Sequence, residues 1–176
     1  MKFRVVAGAA VACLSLTACG DAGPDTVKLY DRAPVPGVLD RTAVVDPTMS
    51  TLAPDGEYWA ELSGGTVGET VTFLVTQAFF ADACVEQLGV DECPNDFGTL
   101  DEPSVTVTVQ VADIGSVTVV ADNRQNFAVT AQELFILAGG QSPSEGAPEG
   151  FAYVPFPFLL TVRAGKIVEA HQIWLA

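Results

Sequence analysis

Strict alternation of valine with polar residues between positions 105 and 111 is the feature that most constrains the fold. Valine occupies every second position there, and threonine or glutamine fills the positions between. Because successive side chains of a β-strand point to opposite faces of the sheet, this period of two predicts a strand with one buried face. A second apolar stretch, residues 117–120, follows a turn signal at 113–116 and continues the pattern.

Two further pairs of apolar stretches are typical of β-hairpins. Residues 57–62 and 70–76 flank a turn that begins Ser-Gly-Gly, and residues 158–162 and 167–175 flank an Arg-Ala-Gly-Lys turn. Short glycine-containing loops between strand-like stretches favour antiparallel pairing. The sequence therefore predicts a mainly antiparallel sheet.

Two short helices are predicted between the strands. Thr130 and Glu133 have the spacing of a capping box, Val129 and Leu134 occupy the hydrophobic staple positions, and a glycine pair closes the helix. The other helix, about residues 78–88, has the spacing of an amphipathic helix. Its apolar face consists of Phe80, Cys84, Val85 and Leu88. Together these elements predict the α+β class, with a mainly antiparallel β-sheet or partly open barrel and two short helices.

The first nineteen residues have the pattern of an export signal. A basic start with Lys2 and Arg4 precedes an apolar run, residues 5–16, that is shorter than the ~20 residues needed to cross a bilayer. The run ends in Leu-Thr-Ala-Cys19, which resembles the lipobox of bacterial lipoproteins. That resemblance implies a signal peptide over residues 1–18 and a lipid on the thiol of Cys19. The alternative is a plain secretory signal that leaves this cysteine as a free thiol.

Charge and lipidation together imply a location. Removal of the signal peptide leaves 6 basic and 22 acidic residues, a formal charge of −16. An anionic membrane repels such a chain, and nucleic-acid binding, which depends on Lys and Arg, is excluded as a function. Acyl chains such as palmitate, at about 0.8 kcal/mol for each buried CH₂, hold the protein instead. The resemblance thus implies a protein attached by lipid to the extracytoplasmic face of the cell membrane.

Two cysteines remain for the folded domain under this interpretation. Cys13 leaves with the signal peptide and Cys19 is lipidated, so Cys84 and Cys93 form an even pair in an exported chain. Such a pair implies a disulfide, which stabilises the fold by roughly 2–3 kcal/mol in the chain-entropy model. A metal site is the weaker alternative, since no histidine lies nearby.

The lipoprotein interpretation divides the chain into three parts. Residues 1–18 are the signal peptide, residues 19–54 are the lipidated cysteine and a flexible tether, and residues 55–176 are a single β-rich globular domain. The tether contains five prolines and no sustained apolar period, a composition that disfavours order. Two apolar patches within it, residues 27–30 and 43–45, are candidates for packing on the domain.

Acidic side chains supply two candidate sites. Asp82 and Glu86 lie four residues apart on the first predicted helix, and with Asp96 they are the carboxylates available to a hydrolase. Asp91, Glu92 and Asp96 are candidate calcium ligands, although their spacing does not match an EF-hand. The alternative for both groups is a solvated acidic surface.

Histidine and aromatic residues supply the remaining candidates. The single histidine, His171, lies two residues from Glu169 on one face of the last predicted strand, and without a Gly-x-Ser-x-Gly elbow it is assigned a structural or surface role. The stretch 151–158 combines aromatics with two prolines, which favours a sheet edge or bulge. Tyr153 and Phe156 bind a partner if they face outward, and belong to the core if they face inward.

Several short motifs of the domain resemble exported actinobacterial proteins that are themselves uncharacterised. These motifs are Asp55-Gly56, the stretch 72–80, Asn95-Asp96 and the stretch 158–168. The resemblance covers roughly the whole domain and implies no activity or catalytic residue. The sequence favours a non-catalytic module at the cell envelope that binds an envelope protein or a small apolar ligand and uses no cofactor. The alternatives are a carboxylate-dependent envelope hydrolase and a structural envelope component.

Overall fold

The computed structural model describes residues 28–37, 39–49, 55–63 and 68–174, so the predicted signal peptide and Cys19 lie outside the described residues. Within these ranges the chain forms nine β-strands, two α-helices and three short 3₁₀ helices. The strands and α-helices, in chain order, are β1 (Gly56–Leu62), β2 (Thr70–Thr76), β3 (Ala78–Phe80), α1 (Ala81–Leu88), β4 (Phe97–Thr99), β5 (Val105–Gln110), β6 (Ile114–Val120), β7 (Asn126–Val129), α2 (Ala131–Ala138), β8 (Phe158–Arg163) and β9 (Lys166–Gln172). The 3₁₀ helices span Val90–Glu92, Pro94–Asp96 and Val111–Asp113.

Seven strands form one sheet in the order β5-β2-β1-β8-β9-β6-β7, and β3 pairs with β4 in a second, small sheet. Every neighbouring pair is antiparallel except β6 and β9, which are parallel. Among the described residues the large sheet ends at β5 and β7 and is not closed into a barrel. The predicted α+β class with a mainly antiparallel sheet and two α-helices is confirmed.

One face of the large sheet lies on the main hydrophobic core. The antiparallel register of β2 and β5 pairs Val71 with Val109, Phe73 with Val107 and Val75 with Val105. These side chains point to one side because strand residues alternate between faces. The core also contains Tyr58, Phe158 and Leu160, and α2 packs on it through Leu134 and Leu137. We call the opposite side of the sheet its outer face.

Two predicted boundaries are wrong. The helix expected from residue 78 begins at Ala81, because Ala78–Phe80 pairs with Phe97–Thr99 and forms β3 instead. The turn expected at residues 113–116 is already strand from Ile114, because β6 pairs with β9 from that residue onward. In both places hydrogen bonding to a distant strand overrides the local sequence signal.

The described part of the segment predicted as a tether packs on the domain. The Tyr30 amide donates to the Ala128 carbonyl at 2.7 Å, the Ala128 amide to the Asp31 carbonyl at 2.8 Å and the Ala33 amide to the Asn126 carbonyl at 2.9 Å. Residues 28–33, which we call the strap, therefore cover the edge of β7. Further along, Val45 is only 2 % exposed, so this part of the chain also packs on the domain. The rest of the predicted tether lies outside the described residues.

None of the helices in the described part of the chain has the length and apolar character needed to span a membrane.

Candidate functional site

The outer face of the sheet carries a row of polar side chains beside a row of mostly apolar ones. Strand register places residues opposite one another across β1, β8 and β9. Because residues two apart on a strand share a face, both rows point away from the main core. The polar row is Glu57, Thr161 and Glu169, and the adjacent row is Trp59, Leu159 and His171.

The apolar side of this face contains a cavity of about 120 Å³. Its walls include Trp59, Phe80, Ile173 and Trp174, and the segment around Val35 forms the remaining side. Trp59 is buried by its aromatic neighbours, with its ring centre 5.8 Å from that of Phe80. An apolar protein cavity of roughly 150 Å³ binds benzene, so the space here matches one small ring or branched alkyl group.

A second cavity, of about 300 Å³, adjoins the first. The two share Leu159 and Leu39, and we call them together the outer groove. The second cavity is also lined by Glu57, Thr161, Glu169 and His171. The outer groove therefore has an apolar end and an end at which two carboxylates can accept hydrogen bonds.

Hydrogen bonds link the polar side chains of the groove. The Thr118 hydroxyl lies 3.0 Å from His171 Nδ1, and the Thr161 hydroxyl donates to Glu169 at 3.4 Å. His171 Nε2 is 3.8 Å from Glu169, whose side chain is 52 % exposed. Because Thr118 itself is buried, its hydroxyl is poorly placed to attack a substrate. These contacts fix the His171 ring and suit binding better than nucleophilic catalysis.

The carboxylates proposed for a hydrolase lie elsewhere. Asp82, Glu86 and Asp96 are all exposed, and none of them lines either cavity of the outer groove. The calcium candidates Asp91 and Glu92 are exposed too. Within the described ranges, no three His, Cys, Asp or Glu side chains are grouped so that they can hold a metal ion.

The cysteine pair does form a disulfide. Cys84 on α1 is bonded to Cys93, nine residues later, between two 3₁₀ helices. Both cysteines are buried against Phe79, with Leu88 and Leu100 packed around them. The disulfide thus ties α1 to the acidic loop that follows it, as the sequence indicated.

The aromatic stretch before β8 is only half-buried, and Gln172 holds it. The side-chain amide of this fully buried residue donates to the carbonyls of Val154 at 2.6 Å and Phe156 at 2.9 Å. Tyr153 packs against the main core, and burial raises the pKa of its hydroxyl to about 12. For Tyr153 this placement matches the core alternative, while the partner-binding role of Tyr153 and Phe156 stays a prediction.

Glu133 makes a buried polar contact that the sequence did not indicate. The Thr130 hydroxyl accepts a hydrogen bond from the Glu133 amide at 3.1 Å, as in a capping box. The Glu133 carboxylate, in contrast, accepts bonds from the Tyr30 hydroxyl and from both the amide and the hydroxyl of Ser144. We call these three residues the clasp, because they join the strap to α2 and its following loop.

The clasp shifts the pKa values of two of its members in opposite directions. Burial alone raises the pKa of Glu133, but the hydrogen bonds from Ser144 and Tyr30 outweigh it and leave this pKa below the ordinary carboxyl value. Burial, the hydrogen bond to Glu133 and its negative charge raise the pKa of Tyr30. The clasp is therefore held by an ionised carboxylate and a neutral phenol across the neutral pH range.

No protein-family model matches the chain, and no curated protein or solved structure resembles it significantly. A proposal for its function therefore depends on the geometry of the outer groove.

Proposed function

We propose that the chain is a lipid-anchored, extracytoplasmic binding module that holds a small ligand in the outer groove. The anchor is the acylated thiol of Cys19, and the bound molecule has an apolar group joined to a hydrogen-bond donor. No catalytic step is part of this proposal.

The observation that carries the proposal is the union of an apolar and a polar cavity on neighbouring strands. Small-molecule sites are mostly apolar clefts of about 300–1,000 Å³ with a few placed polar groups, and the larger cavity alone reaches the lower end of that range. Trp59 and Ile173 suit a ring or branched alkyl group. Glu57 and Glu169 accept hydrogen bonds, so the polar end of the ligand is a hydroxyl or an ammonium group.

The lipobox resemblance and the net charge of the chain support anchoring through lipid. With a formal charge of −16 after removal of residues 1–18, the protein surface provides no general attraction to an anionic bilayer. Mass spectrometry of the native protein tests this part directly, because an acylated Cys19 adds the mass of its lipid. A native protein without fatty acid, or unchanged membrane fractionation of Cys19→Ala, contradicts the anchor.

Three monosubstituted benzenes of similar size test the groove. We expect benzyl alcohol and benzylamine to bind near 1 mM, because about 0.5 kcal/mol per non-hydrogen atom gives roughly −4 kcal/mol for such probes. Benzoate carries a carboxylate in place of the donor, and repulsion of about 1 kcal/mol or more by Glu57 and Glu169 makes its binding at least about fivefold weaker. Titration followed by NMR of the Trp59 indole N–H measures all three.

A matched pair of variants assigns the binding to the groove. Leu39 is half-buried and lines both cavities, so Leu39→Trp fills the groove and is expected to abolish probe binding. Val44 is 74 % exposed and lines neither cavity, so Val44→Trp is expected to bind normally. Probe binding that survives in Leu39→Trp, or shifts confined to residues outside the groove, contradicts the proposal.

A further inference from the structure

The strap changes the length of chain between the lipid and the domain. Tyr30, the first buried residue of the strap, follows Cys19 by eleven positions. Fully extended, this stretch spans at most about 40 Å, whereas a tether that ran freely to residue 55 would reach roughly 125 Å. A domain of this size is about 40 Å across, so the anchor allows little more than one domain diameter of separation.

The attachment at the strap also has a definite position in the fold. The Tyr30 ring lies 5.0 Å from that of Phe151, its hydroxyl donates to Glu133, and its backbone pairs with β7. The chain that leads to the anchor therefore joins the domain beside α2, on the core side of the large sheet. The small sheet packs on the outer face against Trp59, and α1 packs on the small sheet. The two helices α2 and α1 therefore lie on opposite sides of the large sheet.

The two sides of the molecule differ in charge. Residues 81–100, which contain α1 and its disulfide-linked loop, carry five exposed carboxylates and no Lys or Arg. They are Asp82, Glu86, Asp91, Glu92 and Asp96. Near the strap, three exposed basic residues, Lys28, Arg32 and Arg124, offset most of the negative charge. The acidic residues there are the exposed Asp31, Asp122, Glu145 and Glu149 and the buried Glu133, so this side has a smaller excess of negative charge. An anionic lipid surface therefore repels the α1 side more strongly than the strap side.

We propose that the strap side of the domain, with α2 and β7, faces an anionic bilayer and that α1 points away from it. This inference rests on the proposed anchor at Cys19. The short reach of the chain keeps the domain close to the lipid, and the charge difference selects the orientation. Each charge near such a surface changes membrane affinity by about fivefold, so the unbalanced carboxylates on the α1 side are sufficient to orient the domain.

Energy transfer to a lipid acceptor tests the orientation with two matched labels. Gln132 on α2 and Gln87 on α1 are both exposed glutamines on short helices, so they are matched positions for a fluorophore. The fluorophore is attached to an azide-bearing residue introduced at one position or the other. This chemistry does not react with cysteine and leaves the disulfide intact. The native lipidated protein is placed in vesicles of phosphatidylcholine alone or mixed with phosphatidylglycerol. We expect more transfer from position 132 than from position 87, and a larger difference in the anionic vesicles.

A charge variant separates orientation by charge from orientation by the anchor alone. Asp82→Asn combined with Glu86→Gln removes two carboxylates from the α1 side and is expected to reduce the difference in anionic vesicles only. Asp46→Asn is the control, since this exposed residue lies in neither region. Unfolded variants are recognised beforehand by circular dichroism.

The possible outcomes are distinct. Equal transfer from both positions in both vesicles, or greater transfer from position 87, overturns the orientation while the anchor stands. A protein that carries no acyl group and gives no transfer from either position overturns the anchor, and the orientation with it. A difference that is the same in both vesicles contradicts the role of charge.

Discussion

Removal of one hydroxyl group from the clasp tests how the strap is held. In Tyr30→Phe the ring remains and keeps its edge-to-face contact with Phe151, at 5.0 Å between ring centres. The lost group is the hydroxyl that donates to Glu133, a residue only 2 % exposed. Hydrogen bonds to charged groups contribute about 1.5–3 kcal/mol, and we expect the free energy of unfolding to fall by that amount at pH 7.

The pH dependence of this loss follows from the two shifted pKa values. The pKa of Glu133 is lowered in the folded state, so its contribution is complete above the ordinary carboxyl pKa of about 4.3 and is lost as the pH falls through the lowered value. The pKa of Tyr30 is raised, so its contribution is complete below about pH 10 and is lost as the pH rises through the raised value. The difference between wild type and Tyr30→Phe is therefore constant near neutrality and smaller at both extremes.

Urea unfolding with the disulfide intact, followed by tryptophan fluorescence, measures the effect. Tyr153→Phe is the matched control, because its buried hydroxyl makes no close hydrogen bond within the described residues and faces the neutral side chain of Gln172 instead of a carboxylate. A loss below about 0.5 kcal/mol for Tyr30→Phe, or an equal loss for both variants, refutes the clasp as a stabilising contact. A loss that stays constant as the pH falls from 7 to the lowest pH at which the protein remains folded refutes the assignment to an ionised Glu133.

Two further predictions concern backbone constraints. Replacement of both Cys84 and Cys93 by serine opens a loop with a sequence separation of 9. In the chain-entropy model this reduces the free energy of unfolding by about 2.6 kcal/mol, which urea unfolding measures against the oxidised wild type. An added Cβ at Gly115 lies 2.4 Å from the Val168 carbonyl oxygen, so Gly115→Ala is expected to destabilise the parallel β6–β9 pair by about 1–3 kcal/mol. Gly37→Ala, where the added Cβ meets no atom within 4 Å, is the control and is expected to leave the thermal midpoint nearly unchanged.

Local patterns in the sequence predicted most of the elements but not their arrangement. The valine alternation, the two hairpins and the Thr130 cap all correspond to observed elements, because each depends on residues close in the chain. The parallel pairing of β6 with β9 joins Ile114 to Ile167, more than fifty residues apart. Nothing in either strand specifies its partner, because a period-two pattern determines which face of a strand is buried but not which strand lies next to it.

The outer groove was not predictable for a related reason. Its residues come from β1, β8, β9, β3 and the segment around Val35, and only the tertiary fold brings them together. One local signal was present: Glu57 with Trp59 and Glu169 with His171 lie two apart, which places each pair on one strand face. The sequence does not show that β8 alone lies between β1 and β9. This strand order brings the two pairs side by side and so forms the groove.

The strap shows why average composition is a poor guide to packing. Prolines and scattered charges across residues 19–54 favour a free tether, yet docking depends on the positions of single residues. Tyr30 supplies an aromatic ring and a hydroxyl to the core, and the amides that pair with β7 belong to non-proline residues. Pro34 and Pro36 come after the paired stretch, where their missing N–H groups remove no strand hydrogen bond. The same prolines prevent further pairing, so the chain leaves the β7 edge there. The residues that follow the strap continue along the outer groove and form one of its walls, so one continuous segment covers an exposed sheet edge and shapes the groove.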